Sequence, residues 1–99
     1  MSLNSAIIMG RLTADPELRT TNSGVAVTSI RVAVDRDYVK PGEERQADFI
    51  NVIAWRRTAV FIERHFKKGQ LIAVQGSLQS RNYEDKDGNK RVAVEIVAN

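Results

Sequence analysis

Five separate runs of this sequence place apolar residues at every second position, and one short stretch between the third and fourth runs switches to helical spacing. Period two is the signature of a strand with one buried face, so the chain is built mainly of half-buried strands. The first run, Asn4 to Thr13, carries Ala6, Ile8, Gly10 and Leu12 on one parity and Ile7, Met9 and Arg11 on the other. The second, Val25 to Tyr38, carries Ala26, Thr28, Ile30, Val32 and Val34 on its core parity. The third, Ala47 to Arg56, sets Ile50, Val52 and Ala54 against Phe49, Asn51, Ile53 and Trp55. Thr58 to Phe66 reads as a helix, with Ala59, Ile62 and Phe66 at core spacing and Phe61 assigned to the core as well. Lys67-Lys68-Gly69 supplies its stop, cations near the negative helix end and glycine beyond. The fourth run, Leu71 to Arg81, points Ile72, Val74, Gly76 and Leu78 inward, and the fifth, Lys90 to Val97, does the same with Val92, Val94 and Ile96. Asp87-Gly88 between them is a hairpin signal.

Three strands, a helix and two strands is the order of the five-stranded Greek-key OB barrel, an all-β fold with one short helix between strands 3 and 4. A small mixed α+β sandwich is the competing architecture. The 99 residues suit one domain spanning 1–99, and 42% hydrophobic residues suffice for a packed core. Met1-Ser2-Leu3 is read as a cloning remnant and left out of the fold. With no cysteine, disulfides, thiolate-ligated zinc and thiol catalysis are excluded. No apolar run approaches the ~18–20 residues of a membrane span, and no leader pattern opens the chain, so a cytoplasmic protein without membrane contact is expected.

The aromatic residues carry the functional signal. Phe49 and Trp55 have the parity opposite to the core residues of their strand, with polar Asn51 between them. Tyr38 ends the second strand beside a loop, and Tyr83 sits in the long hairpin between Asn82 and Glu84. Rings held in water suit base stacking, worth about 1–3 kcal/mol per base and indifferent to base identity. Ordinary barrel packing or a protein interface is the alternative. Cations interleave with the rings: Arg56 and Arg57 follow Trp55, Arg31 shares the outer parity of the second strand, Arg81 precedes Tyr83 by two, and Lys67 and Lys68 follow the helix. A net charge of +3 is modest, so placement of these cations matters more than their total.

Catalytic constellations are missing from the sequence. His65 is a lone histidine, and Asp35 and Asp37 lack further converging carboxylates, so no metal site, cofactor or enzyme activity is expected. Ile7 and Met9 give the first strand an apolar outer face, which calls for cover by a second subunit or by the chain's own loop.

These residues carry a family resemblance. Ile8-Met9-Gly10-Arg11-Leu12, Asp15-Pro16-Glu17-Leu18-Arg19, Ala47-Asp48-Phe49-Ile50-Asn51-Val52 with Trp55-Arg56-Arg57, Lys68-Gly69, Val74 through Tyr83 and Asp87-Gly88 together resemble the bacterial single-stranded DNA-binding proteins. The resemblance covers nearly the whole chain in one order. It implies an OB fold, usually a homotetramer built from dimers paired through the first strands, and sequence-independent binding of single-stranded DNA in replication, recombination and repair. It places the stacking positions on Tyr38, Phe49, Trp55 and Tyr83 and the basic groove positions on Arg57, Lys68 and Arg81, to which strand parity and sequence position add Arg31 and Arg56. Several family members carry tryptophan where this chain has Tyr38, Phe49 or Tyr83. The family's acidic C-terminal tail has no counterpart before Asn99, so partners recruited through that tail are not expected. A primosome-like protein–protein adaptor and an RNA-binding OB module are the rival readings on the same fold.

Overall fold

The computed structural model describes residues 2–99; of the leading tripeptide, Met1 lies outside the described residues. The elements are β1 (Ala6–Leu12), β2 (Arg19–Thr20), β3 (Ala26–Asp35), β4 (Ala47–Trp55), α1 (Arg56–His65), β5 (Leu71–Glu84) and β6 (Lys90–Ala98). The sheet order is β1-β5-β6-β4-β3-β2, and β1 also pairs with β3, which closes the sheet into a barrel. All neighbours are antiparallel except β4 and β6, which meet in parallel at Val52–Ile96 and Ile53–Val97. This is the expected OB-type architecture, with α1 following the third long strand.

Closure needs strands to pass at very short range, and two glycines permit it. A Cβ on Gly10 would run into the carbonyl oxygen of Ala33, and one on Gly76 into that of Val97. Neither position tolerates a side chain, as is usual where backbones cross at a barrel corner. Inside, Leu12, Ile30, Val32, Val52, Ala54, Ile72, Val74 and Ile96 form the core, capped by Ala59 and Ile62 of α1. Phe66 stops the helix in an extended conformation and packs its ring against that cluster. The buried Thr28 hydroxyl donates to the Glu17 carbonyl at 2.8 Å, so the one buried polar side chain among the described residues is satisfied.

The structure corrects several expectations. The strand expected to run to Tyr38 ends at Asp35, leaving Tyr38 in the β3–β4 loop. A two-residue strand, Arg19–Thr20, pairs with Val27 and Ala26 and was too short to show a period. The helix begins at Arg56 rather than Thr58. Leu78, Val92 and Val94 were expected inside but are exposed, because β5 and β6 run on past the barrel as a free hairpin and no second layer covers them. Phe61, also assigned inward, stands exposed on the outer side of α1.

Candidate nucleic-acid interface

The site is assembled on the outer wall of β3 and β4 and extends onto the hairpin. In the antiparallel ladder, Arg31 faces Asn51, Ala33 faces Phe49, Ser29 faces Ile53 and Val27 faces Trp55. Directly opposed residues point to the same side of a sheet. One row of outward side chains therefore runs from Phe49 through Arg31 and Asn51 to Trp55. The core residues Ile30, Val32, Val52 and Ala54 occupy the opposite parity. The four candidate rings are all exposed: Tyr38 at 73%, Trp55 at 40%, Phe49 at 53% and Tyr83 at 42%.

Two of those rings already hold a cation. The Arg31 guanidinium lies 4.7 Å from the centroid of Phe49, and the Arg81 guanidinium lies 5.3 Å from that of Tyr83. Both distances fall within cation–π range. Each pair thus sets an exposed ring directly beside a positive charge. Arg81 is fixed in place by Glu95, whose carboxylate accepts from Nε at 3.2 Å. Between the two pairs lies a depression of about 290 Å³, bordered by Arg31, Asn51, Ser29, Arg81, Glu95 and the Thr13–Asp15 segment.

Lys68 joins this rim through its backbone, whose N–H donates to the Asp15 carboxylate at 2.8 Å. That hydrogen bond ties the α1–β5 loop to Asp15 at the border of the depression. Arg56 and Arg57 occupy the first turn of α1, directly after Trp55, and are exposed. Arg56 has φ 57, a left-handed conformation that costs a non-glycine residue about 1–2 kcal/mol. That kink turns the chain from β4 into α1 immediately beside the Trp55 ring. Among the described residues, no group of three or more His, Cys, Asp or Glu side chains is arranged to hold a metal ion.

The sequence model of the single-strand binding protein family matches residues 3–99. The chain belongs to that family. Over 96 residues, 97% of this chain, it is 49% identical to single-stranded DNA-binding protein 1 of Staphylococcus aureus, covering 62% of that protein. It is 45% identical to single-stranded DNA-binding protein 2 of Listeria monocytogenes, covering 60% of it. The single-stranded DNA-binding protein of Bacillus cereus is 46% identical, with 56% covered. The chain thus spans about three fifths of the length of the relatives it matches.

Within this single-strand binding family member, Arg31 and Arg81 border one depression and each lies over its own ring, Phe49 or Tyr83, with Trp55 at the far end of the Phe49 strand face. Tyr38 is apart from them, in a loop cavity with Arg36, Lys40 and Glu44. Ile7 and Met9 project from a separate wall, the outer side of β1, where Ala73 and Leu71 of β5 lie opposite Met9 and Arg11. Two residues of the interface escaped the sequence reading. Arg19 on β2 faces Val27 of β3 and donates to the Ser29 hydroxyl at 3.2 Å, which puts a further cation on the wall at Ser29. The parity of Glu95 marks it only as outward; its role as the anchor of Arg81 comes from a diagonal contact across the β5–β6 ladder, in which Glu95 itself faces Gln79.

Proposed function

We propose that this chain binds single-stranded DNA without reading its sequence, by stacking bases on Phe49, Trp55, Tyr83 and Tyr38 while Arg31, Arg56, Arg57, Lys68 and Arg81 meet the phosphates. The observation that carries this reading is the outer wall of β3 and β4, where Phe49 and Trp55 stand exposed in one row with Arg31 against the Phe49 ring, over a core that does not need them, together with the Arg81–Tyr83 pair on the hairpin. Rings give contacts that every base can make, and cations give affinity through release of counterions from the strand. Family membership and the names of the relatives point the same way. Coating of exposed strands in replication, recombination and repair, in the cytoplasm, is the setting that fits.

A second subunit fits the outer face of β1. Only Arg11 and Leu12 of β1 pair with β3, so from Ala6 to Gly10 the strand has a neighbour on one side alone. That free edge lies next to the exposed side chains of Ile7 and Met9. Pairing of two β1 strands covers both, and pairs of dimers give the proposed homotetramer. Mass measurement in solution tests this, with Ile7→Glu plus Met9→Glu expected to lower the mass.

For DNA binding, the double change Phe49→Ala with Trp55→Ala is the test. It leaves the fold intact and weakens oligo-dT binding by about 1–3 kcal/mol for each base unstacked. Unaltered affinity overturns the reading, as does equal affinity for an RNA oligomer of the same sequence. Loss of folding in that variant would mean that the rings belong to the core.

A further inference from the structure

The outer side of α1 is a second patch of the same chemistry. Arg57, Val60, Phe61, Arg64 and His65 recur at helical spacing opposite the buried Ala59 and Ile62. Phe61 is 55% exposed although it is a large aromatic on a helix with a well-formed core face. Its ring stays largely in solvent; its aromatic neighbours are Phe66, edge-on at 6.2 Å, and the tilted imidazole of His65 at 4.6 Å. Around it lies an open depression of about 480 Å³ bordered by Arg56, Arg57, Arg64 and His65, with no carboxylate among its lining residues. None of the ion pairs among the described residues engages these arginines; those pairs are Arg36–Asp48, Arg81–Glu95 and Arg91–Asp85.

We infer that this helix face is a second single-stranded nucleic-acid subsite, in which Phe61 stacks a base and Arg64, with Arg56 and Arg57, holds the flanking phosphates. The inference rests on the proposed DNA binding of the β3–β4 wall and extends it. Two observations choose the occupant. The patch is cationic without a neutralising acid, so it suits an anionic partner. It is also continuous with the wall: Trp55 is the residue that precedes the first turn of α1, and Arg56 and Arg57 border both. A strand leaving the Trp55 ring therefore meets the Phe61 ring next, along the helix.

The test compares two dT oligomers by fluorescence anisotropy. One has about 8 nucleotides, within the site size of one OB barrel; the other has about 32, twice the upper figure. Phe61→Ala and Arg64→Ala are expected to weaken binding of the long strand about fivefold or more while leaving the short one unchanged. Arg64→Ala also reduces the salt slope of the long strand by about one. Phe61→Tyr restores the affinity and Phe61→Leu does not, which separates ring stacking from mere apolar area. Both side chains are exposed, so circular dichroism and urea midpoints stay at the parent values. Trp55→Ala serves as the reference and weakens both strands. If Trp55→Ala acts and the helix variants do not, the helix subsite is wrong and the sheet reading stands. If Trp55→Ala has no effect either, both fall. If the helix variants lose binding to an acidic peptide such as oligo-glutamate but keep all DNA binding, the occupant is a protein segment and the inference is overturned.

Discussion

β5 and β6 run side by side over nine paired positions, yet their two halves live in different surroundings. Near the barrel, the inward parity of the pair is sealed: Ile96 is 2% exposed, and Ile72 and Val74 of β5 are buried with it. Leu78, which faces Ile96 across the ladder, is already uncovered, and farther along the same parity carries Val94 and Val92, with Val94 59% exposed. The opposite parity of that outer half carries Arg81, Tyr83 and Arg91. Strand alternation states which residues share a face; it does not state whether anything lies over that face. The inner half holds the barrel shut, and the outer half is an arm that carries site residues away from it.

Mutations can break that contrast. Ile96→Ala removes a fully buried side chain and is expected to cost about 2–5 kcal/mol in urea unfolding, whereas Val94→Ala two residues away stays within about 0.5 kcal/mol. A comparable loss at Val94 would mean that the arm is covered. Gly76→Ala, at the crossing with Val97, is expected to lose about 1–3 kcal/mol through forced backbone separation, read from the same unfolding curves. Gly88 at the arm's tip has open space around it but φ 78, so Gly88→Ala costs about 1 kcal/mol from backbone strain alone.

The smallest expected effect concerns the tip. Asp85 accepts from the Arg91 Nε at 2.9 Å and from the backbone N–H groups of Asn89 and Asp87. The Arg91 hydrogen bond, with the Asn89 N–H behind it, holds its carboxyl below the usual carboxylate range. A depressed folded value means that Asp85 supports the tip above the ordinary carboxylate pKa and loses that support as pH falls through the folded value. The protection factor of the Asn89 amide, its exchange rate referred to the intrinsic rate at the same pH, is expected to fall in acid in the parent, and to be lower and without that carboxylate-linked fall in Asp85→Asn. The midpoint of global unfolding barely changes, since the partners of Asp85 all lie within the tip and none reaches the barrel core.

Strand parity made the central wall legible from sequence. In β4 the alternation of Phe49, Asn51 and Trp55 against Ile50, Val52 and Ala54 separates the outer, candidate-site face from the core with no further information. The order of elements gave the barrel, and the glycines at positions 10 and 76 fell where crossings need them. Other features depend on contacts that no local pattern encodes. Leu78, Val92 and Val94 carry a core-like alternation but lie where the strands outrun the barrel. Arg19 lies in a strand of two residues, too short for any period. Glu95 gains its role from Arg81, 14 residues away in sequence. Phe61 was recoverable in principle: counted from Ala59 and Ile62, helical spacing puts it on the outer stripe with Arg57 and Arg64.

Trp55 is the single tryptophan of the chain, so its emission reports one ring of the wall and nothing else. Titration with oligo-dT at low salt is expected to quench that emission to saturation, and added salt to restore it as the strand is released. Emission unchanged by oligo-dT, or quenching that ignores salt, would contradict a wall where bases stack on exposed rings among cations.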